Sequence, residues 1–154
     1  MNLLCRRLGI CAALCVALLP LLRGAEPAVK TVMLKGKVIL LAAYFEKQGA
    51  KLDRDAAEQW YAIITDDGKS YPLIKDDGGR MFFKDSRLLN RPMRLTGRVV
   101  GDGPFFQVFQ VHSYLDGQLH EVYYWCDICT IKRFEQKDCE CCGAPMDLHE
   151  SLVR

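Results

Sequence analysis

Cysteine is missing from the long middle of this 154-residue chain, because none lies between Cys15 and Cys126. Histidine, with three residues, and tryptophan, with two, are scarce, and 21 basic residues nearly balance 19 acidic ones. A nucleic-acid-binding domain is usually markedly basic, so this balance disfavours nucleic acid as a partner. The sequence also lacks Gly-x-Ser-x-Gly, P-loop, dinucleotide-binding and His-Glu-x-x-His motifs, and we therefore predict that the protein is not an enzyme.

The longest apolar run of the sequence lies near its start, at residues 10–22, after Arg6 and Arg7 and before the small residues Gly24 and Ala25. As a helix this run is about 20 Å long, which is short of the roughly 30 Å hydrocarbon core of a bilayer. The pattern predicts a signal peptide over residues 1–25, cleaved near Ala25, and export to the periplasm or the extracellular space. No stable membrane span is expected after cleavage, and an uncleaved membrane anchor is the alternative.

The middle of the chain is predicted to be all-β. Short runs rich in β-branched, apolar and aromatic residues are separated by turn sequences such as Asp66-Asp67-Gly68 and Asp116-Gly117, which favour hairpins. A short helical insert is expected over residues 82–90, before the fourth strand. The predicted strands are residues 31–45, 59–65, 69–75, 92–100, 105–115 and 119–125.

This order of strands resembles the OB-fold over about residues 31–115, and implies a small Greek-key barrel within residues 26–120. An SH3-like barrel and an open sandwich are the competing interpretations. OB-folds often bind single-stranded nucleic acid, but an exported, nearly neutral chain makes that partner unlikely.

The last segment, residues 121–154, is predicted to be a cysteine-rich metal-binding tail. Two Cys-x-x-Cys pairs, Cys126/Cys129 and Cys139/Cys142, are separated by nine residues, and Gly143 follows the second pair. A two-residue gap lets a tight turn aim two thiolates at one cation, and two such turns complete a tetrahedral site. The pattern resembles the knuckles of zinc ribbons, and we expect a structural Zn²⁺ on Cys126, Cys129, Cys139 and Cys142, with Cys141 outside the coordination shell.

Other uses of the same cysteines remain open at this stage. Exported cysteines often form disulfides, so the tail could instead be a disulfide staple for an OB-fold module. Five thiols close to Met146 could also hold Cu⁺ or carry out thiol redox chemistry in the periplasm. His149 lies near enough in sequence to serve as a substitute ligand.

The segments at residues 123–129 and 139–146 are also similar to those of an uncharacterised family of small exported bacterial proteins. That resemblance implies an OB-like barrel with a cysteine tail and no known activity. Together these features predict an exported, non-catalytic binding or interaction module whose partner is a protein or a small ligand.

Overall fold

The computed structural model describes residues 30–53, 55 and 58–154. The predicted signal peptide, residues 1–25, and its cleavage site lie outside the described residues. Within the described part of the chain, no helix has the length and apolar character that crossing a bilayer requires.

The described residues form one largely antiparallel sheet of eight strands, which confirms the predicted all-β class. The helical segments include the short helix α1 (Leu41–Lys47) and two 3₁₀ turns, Arg80–Phe83 and Ser86–Leu88. The strands are β1 (Val32–Leu40), β2 (Tyr61–Thr65), β3 (Ser70–Pro72), β4 (Pro92–Val99), β5 (Phe106–Leu115), β6 (Gln118–Cys126), β7 (Ile131–Arg133) and β8 (Asp147–Leu152).

The first five strands curl so that the two ends of their row meet. The order is β3-β2-β1-β4-β5, and a parallel bridge between Leu73 and Phe106 joins the end of β3 to the start of β5. The N–H of Ile74 donates to the carbonyl oxygen of Phe106 at 3.0 Å and reinforces this junction. Strands β1 to β5 are called the barrel below, and their identity as an OB-like Greek-key barrel stays a prediction.

Strand β1 is shorter than the single long strand expected over residues 31–45. β1 ends at Leu40, and α1 follows directly. Leu40 pairs with Tyr61, the first residue of β2, so no partner strand continues beyond this point. The N–H of Leu41 donates to the carbonyl oxygen of Trp60, and the next residues include strong helix formers, so the chain turns into a helix. The helical insert expected over residues 82–90 is present as the two 3₁₀ turns.

Gly36 lies in the part of β1 that pairs with both β2 and β4. A Cβ added to Gly36 would lie 2.0 Å from the carbonyl oxygen of Ile64 on β2. Only glycine allows the two backbones to approach this closely.

The tail packs against the same hydrophobic core as the barrel. The buried cluster contains Cys126, Cys139 and Met146, at 0%, 3% and 6% exposure, beside barrel residues such as Val38 and Leu95. β6 runs through the expected 120/121 boundary, and β8 pairs along its edge. The division into units 26–120 and 121–154 stays a prediction. Unfolding experiments can test whether the two units unfold separately.

Candidate metal centre

The first cysteine pair closes the hairpin between β6 and β7. Cys126 is the last residue of β6 and pairs with Ile131, the first residue of β7. The N–H of Thr130 donates to the carbonyl oxygen of Cys126 at 2.8 Å, and the N–H of Cys129 donates to the Cys126 Sγ at 3.5 Å. The chain therefore makes a tight knuckle that holds both sulfur atoms on one side.

The second cysteine pair repeats this geometry. The N–H of Gly143 donates to the carbonyl oxygen of Cys139 at 2.8 Å, in the same way as Thr130 donates to Cys126. The N–H of Cys139 donates to the carbonyl oxygen of Ala144 at 2.7 Å, and a bridge joins Asp138 to Pro145. This knuckle is thus the tip of its own small hairpin, and residues 126–146 are called the ribbon below.

The two knuckles face each other and bring four sulfur atoms together. The Sγ atoms of Cys126, Cys129, Cys139 and Cys142 all lie within 4.8 Å of one another, and those of Cys126 and Cys142 are 3.6 Å apart. A tetrahedral ion with bonds of about 2.3 Å to sulfur needs sulfur atoms about 3.8 Å apart. A disulfide bond is about 2.05 Å long, and the cysteines of the described residues are free thiols. The spacing therefore fits one metal ion.

Backbone amides polarise the second knuckle toward the thiolate form. The N–H groups of Cys142 and Cys141 donate to the Cys139 sulfur and lower the pKa of this thiol to about 7. At Cys126, the N–H of Cys129 lowers the pKa, but burial and the neighbouring thiols outweigh it and raise the pKa overall. Contacts with the thiols of Cys141 and Cys142, together with burial, raise the pKa of Cys129. Binding of a cation releases the thiol protons, and the cation then attracts the thiolates that this leaves close together.

The cluster has a core side and a solvent side. Cys126 and Cys139, the first cysteine of each knuckle, are buried, whereas Cys129 is half-buried and Cys142 is exposed. A metal here would be anchored to the protein core by two ligands and closed off toward solvent by the other two.

None of the remaining candidate ligands belongs to this group of four. Cys141 is exposed and is not one of the four clustered cysteines. The ring of His149 stacks on that of Tyr123, with centroids 5.8 Å apart, on the face of the sheet opposite to Tyr124 and Cys126. His149 is therefore a poor substitute ligand. His112 and His120 are also outside the group of four.

Three polar contacts that the sequence did not reveal fasten the ribbon and β6 to the barrel. Glu135 pairs with Arg80 at 3.0 Å and with Lys84 at 2.5 Å, both at the first 3₁₀ turn or just after it. The hydroxyl of Tyr124 donates to Asp85 at 2.6 Å inside the core. Asp85 caps the second 3₁₀ turn by accepting from the N–H of Arg87, and an Asp at such a position is a recognisable cap signal. Its other partner, Tyr124, lies 39 residues away.

Two adjoining clefts of about 640 and 500 Å³ flank the contact between ribbon and barrel. Both are lined by Asp77, Arg80 and Phe134. The charges of the second cleft are largely paired with one another, as between Lys137 and Glu140 at 2.6 Å. The pair of Arg80 and Glu135 in this cleft joins the first 3₁₀ turn to the ribbon.

Comparison of the chain with family models, with curated proteins and with solved structures found no match. The resemblance to a family of small exported proteins stays a prediction, and the function is argued from the geometry of the cysteine cluster.

Proposed function

We propose that the protein is an exported, non-catalytic binding or interaction module whose ribbon is held by one structural Zn²⁺. The ligands are Cys126, Cys129, Cys139 and Cys142. The observation that carries the proposal is the convergence of these four sulfur atoms from two facing knuckles at close to tetrahedral spacing.

The ligand type and number favour zinc over the alternatives. Four thiolates at tetrahedral spacing are typical of structural zinc, whereas Cu⁺ would need fewer ligands and leave part of this set unused. The sulfur atoms of Cys126 and Cys142 come from different knuckles and lie 3.6 Å apart, a distance that suits two ligands of one ion.

A structural role follows from the number of protein ligands. Catalytic zinc sites keep one position for water or substrate, whereas four cysteines fill a tetrahedral shell. The ribbon contains no sizeable apolar core of its own, so the ion would supply the cross-link that fixes its two knuckles.

Elemental analysis of the purified protein tests the zinc site. We expect one zinc per chain in the wild type, and loss of stoichiometric zinc when Cys126, Cys129, Cys139 or Cys142 is changed to Ser, because a hydroxyl replaces a thiolate poorly. Cys141→Ser is the matched control, since it lies on the same knuckle and should keep its zinc. Loss of metal from Cys141→Ser but not from Cys139→Ser would move the ligand role to Cys141. Two disulfides and no metal would refute the proposal.

Export is the second part of the proposal, and it rests on the basic, apolar and small-residue pattern of residues 1–25. N-terminal sequencing of the protein recovered outside the cytoplasm should begin near Glu26. Recovery of exported protein that still carries residues 1–20 would contradict cleavage.

A further inference from the structure

We propose that His112 on β5 is an acid-operated latch for the ribbon. When its ring takes up a proton, the ring competes with Lys132 on β7 for the carboxylate of Glu121 on β6, and β7 is thereby loosened from β6. The latch lies on the face of the sheet that points away from the core, and it does not rest on the proposed zinc site.

His112 belongs to a row of facing residues that crosses five strands. Its partner on β4 is Arg94, and its partner on β6 is Glu121. Directly opposite residues point to the same face of a sheet, with Cβ atoms about 4.5–5.5 Å apart. The next pair along β4 and β5, Leu95 and Val111, is buried in the core, so the row lies on the other face. From β1 to β8 its members are Lys35, Arg94, His112, Glu121 and Ser151.

The His112 ring is buried although it lies on this outer face, since the residue is only 8% exposed. Within the described part of the chain, its Nδ1 atom has no hydrogen-bond partner, and neither has the Nε atom of Arg94 on the facing strand. A protonated ring carries an N–H on both nitrogen atoms. Protonation would therefore place a charged donor without an acceptor beside a second unpartnered donor, which is costly in a buried position.

Charged side chains from three strands act on the ring, and two of the three oppose its protonation. Burial lowers the pKa of His112 below its usual 6.5, and the charges of Arg94 on β4 and Lys132 on β7 lower it further. Glu121 on β6 has the opposite effect on this pKa. The carboxylate of Glu121, however, already pairs with the ammonium group of Lys132. A proton on His112 therefore makes two cations compete for one carboxylate.

The ion pair between Lys132 and Glu121 is the contact that gives way. Their side chains are 35% and 37% exposed, and an ion pair this open to water contributes little to stability. A buried imidazolium without a counter-charge costs much more. Glu121 is therefore expected to turn toward protonated His112, while the Lys132 ammonium group turns into the solvent.

Release of Lys132 matters because β7 is short. Lys132 is the middle residue of this three-residue strand, and its ammonium group also lies 4.5 Å from the ring centre of Tyr123 on β6. The ladder between β6 and β7 has three residue pairs, so few other contacts compensate for the lost one. Loosening of β7 is thus the expected structural effect of acid on this face.

The direction of the pH effect follows from the lowered pKa of His112. The unfolded chain takes up a proton at this residue near pH 6.5, whereas the folded chain takes it up at a lower pH. The stabilising contribution of the neutral ring is therefore complete above about pH 6.5 and is lost as the pH falls from there through the folded pKa.

Amide hydrogen exchange of the purified protein at about pH 7.5 and about pH 5.5, corrected for intrinsic exchange rates, tests the latch. In the wild type, the protection of residues 131–133 should fall several-fold in acid. In His112→Gln it should stay nearly constant, because the variant cannot take up the proton. Lys132→Gln should show low protection at both pH values, since it lacks the ion pair throughout.

His120→Gln is the matched control. It removes an imidazole that lies on β6 outside this row and that contacts the carbonyl oxygen of Gln118 at 3.1 Å. Its β7 protection should respond to pH as the wild type does. NMR titration of the wild-type His112 ring is a second measurement that needs no variant, and the ring should titrate below pH 6.5.

Three results would overturn the inference. They are a His112 ring that titrates at or above pH 6.5, unchanged β7 protection of the wild type in acid, and an equal loss of protection in wild type and His112→Gln. Metal content measured at both pH values keeps these results separate from the proposed function. Absence of zinc at neutral pH would refute the zinc site and leave the His112 comparison in force.

Discussion

The residue that closes each knuckle has a left-handed backbone. Gly143 has a φ of 72° and Thr130 has a φ of 52°. Glycine adopts this conformation freely, whereas an L-residue with a branched Cβ pays about 1–2 kcal/mol for it. The Thr130 hydroxyl donates to the carbonyl oxygen of Cys129 at 2.7 Å, which offsets part of this cost at an exposed position. The first knuckle is therefore the more strained of two otherwise equivalent turns.

Exchanging these two residue types should have opposite effects on stability. Thr130→Gly is expected to raise the free energy of unfolding by up to about 1 kcal/mol, because relief of the left-handed strain exceeds the entropy cost of glycine. Gly143→Thr should lower it by about 1–2 kcal/mol. Urea unfolding of the zinc-loaded proteins measures both changes. A destabilised Thr130→Gly would mean that the hydroxyl contact outweighs the backbone strain.

The 3₁₀ turns between β3 and β4 are attached to β6 by one buried carboxylate. The Asp85 carboxylate accepts a hydrogen bond from the Tyr124 hydroxyl at 2.6 Å. It also accepts one from the guanidinium group of Arg87 at 2.6 Å. Burial raises the pKa of Asp85, but the hydrogen bonds from Arg87 and Tyr124 outweigh it and hold the pKa below the usual 3.8. Burial and the same carboxylate raise the pKa of Tyr124. The ionised Asp85 therefore links an irregular segment to the sheet.

Tyr124→Phe should destabilise the protein in a pH-dependent way. A hydrogen bond to a charged group contributes about 1.5–3 kcal/mol, and that loss is expected at neutral pH. Because the folded pKa of Asp85 is lowered, its contribution is complete above about pH 4 and is lost as pH falls through the folded pKa. The difference between variant and wild type should therefore shrink in acid.

Urea unfolding at neutral pH and at about pH 3 measures this difference. Tyr123→Phe is the matched control, since it removes a hydroxyl from the next residue of β6, whose partner there is the exposed Ser151 at 2.7 Å. Its effect should be small at both pH values. Equal losses of unfolding free energy in the two variants would show that the buried hydrogen bond to Asp85 contributes no more than the exposed one to Ser151.

The sequence predicted some elements better than others. The difference depends on how far apart in sequence the interacting residues lie. The Asp116-Gly117 hairpin and the two knuckles are set by neighbouring residues, so spacing alone identified them. The end of β1 at Leu40 depends on where β2 begins, 21 positions later, and only the folded chain shows this. The hydrogen bond from Tyr124 to Asp85 likewise joins segments that are distant in sequence, and no pattern in the sequence indicates it.

In the whole molecule, barrel and ribbon share one continuous sheet and one buried cluster. β6 pairs with β5 at its beginning and with β7 at its end, while β8 runs along its other edge. Cys126 and Cys139 are both metal-ligand candidates and members of the core. A metal bound there stabilises the native chain as a unit, because its buried ligands pack directly on barrel residues.

Removal of the metal should therefore lower the stability of the entire protein in a single transition. Free zinc at a thousand times its dissociation constant adds about 4 kcal/mol to the native state, and a strong chelator removes this contribution. Thermal unfolding followed by both tyrosine–tryptophan fluorescence and far-UV circular dichroism should give coincident curves that shift together to lower temperature. If the ribbon instead melted alone and left an unchanged second transition, residues 26–120 and 121–154 would be separate units. The shared cluster of Cys126, Cys139 and Met146 with the barrel argues for the single transition, since loss of order in the ribbon would uncover the barrel core.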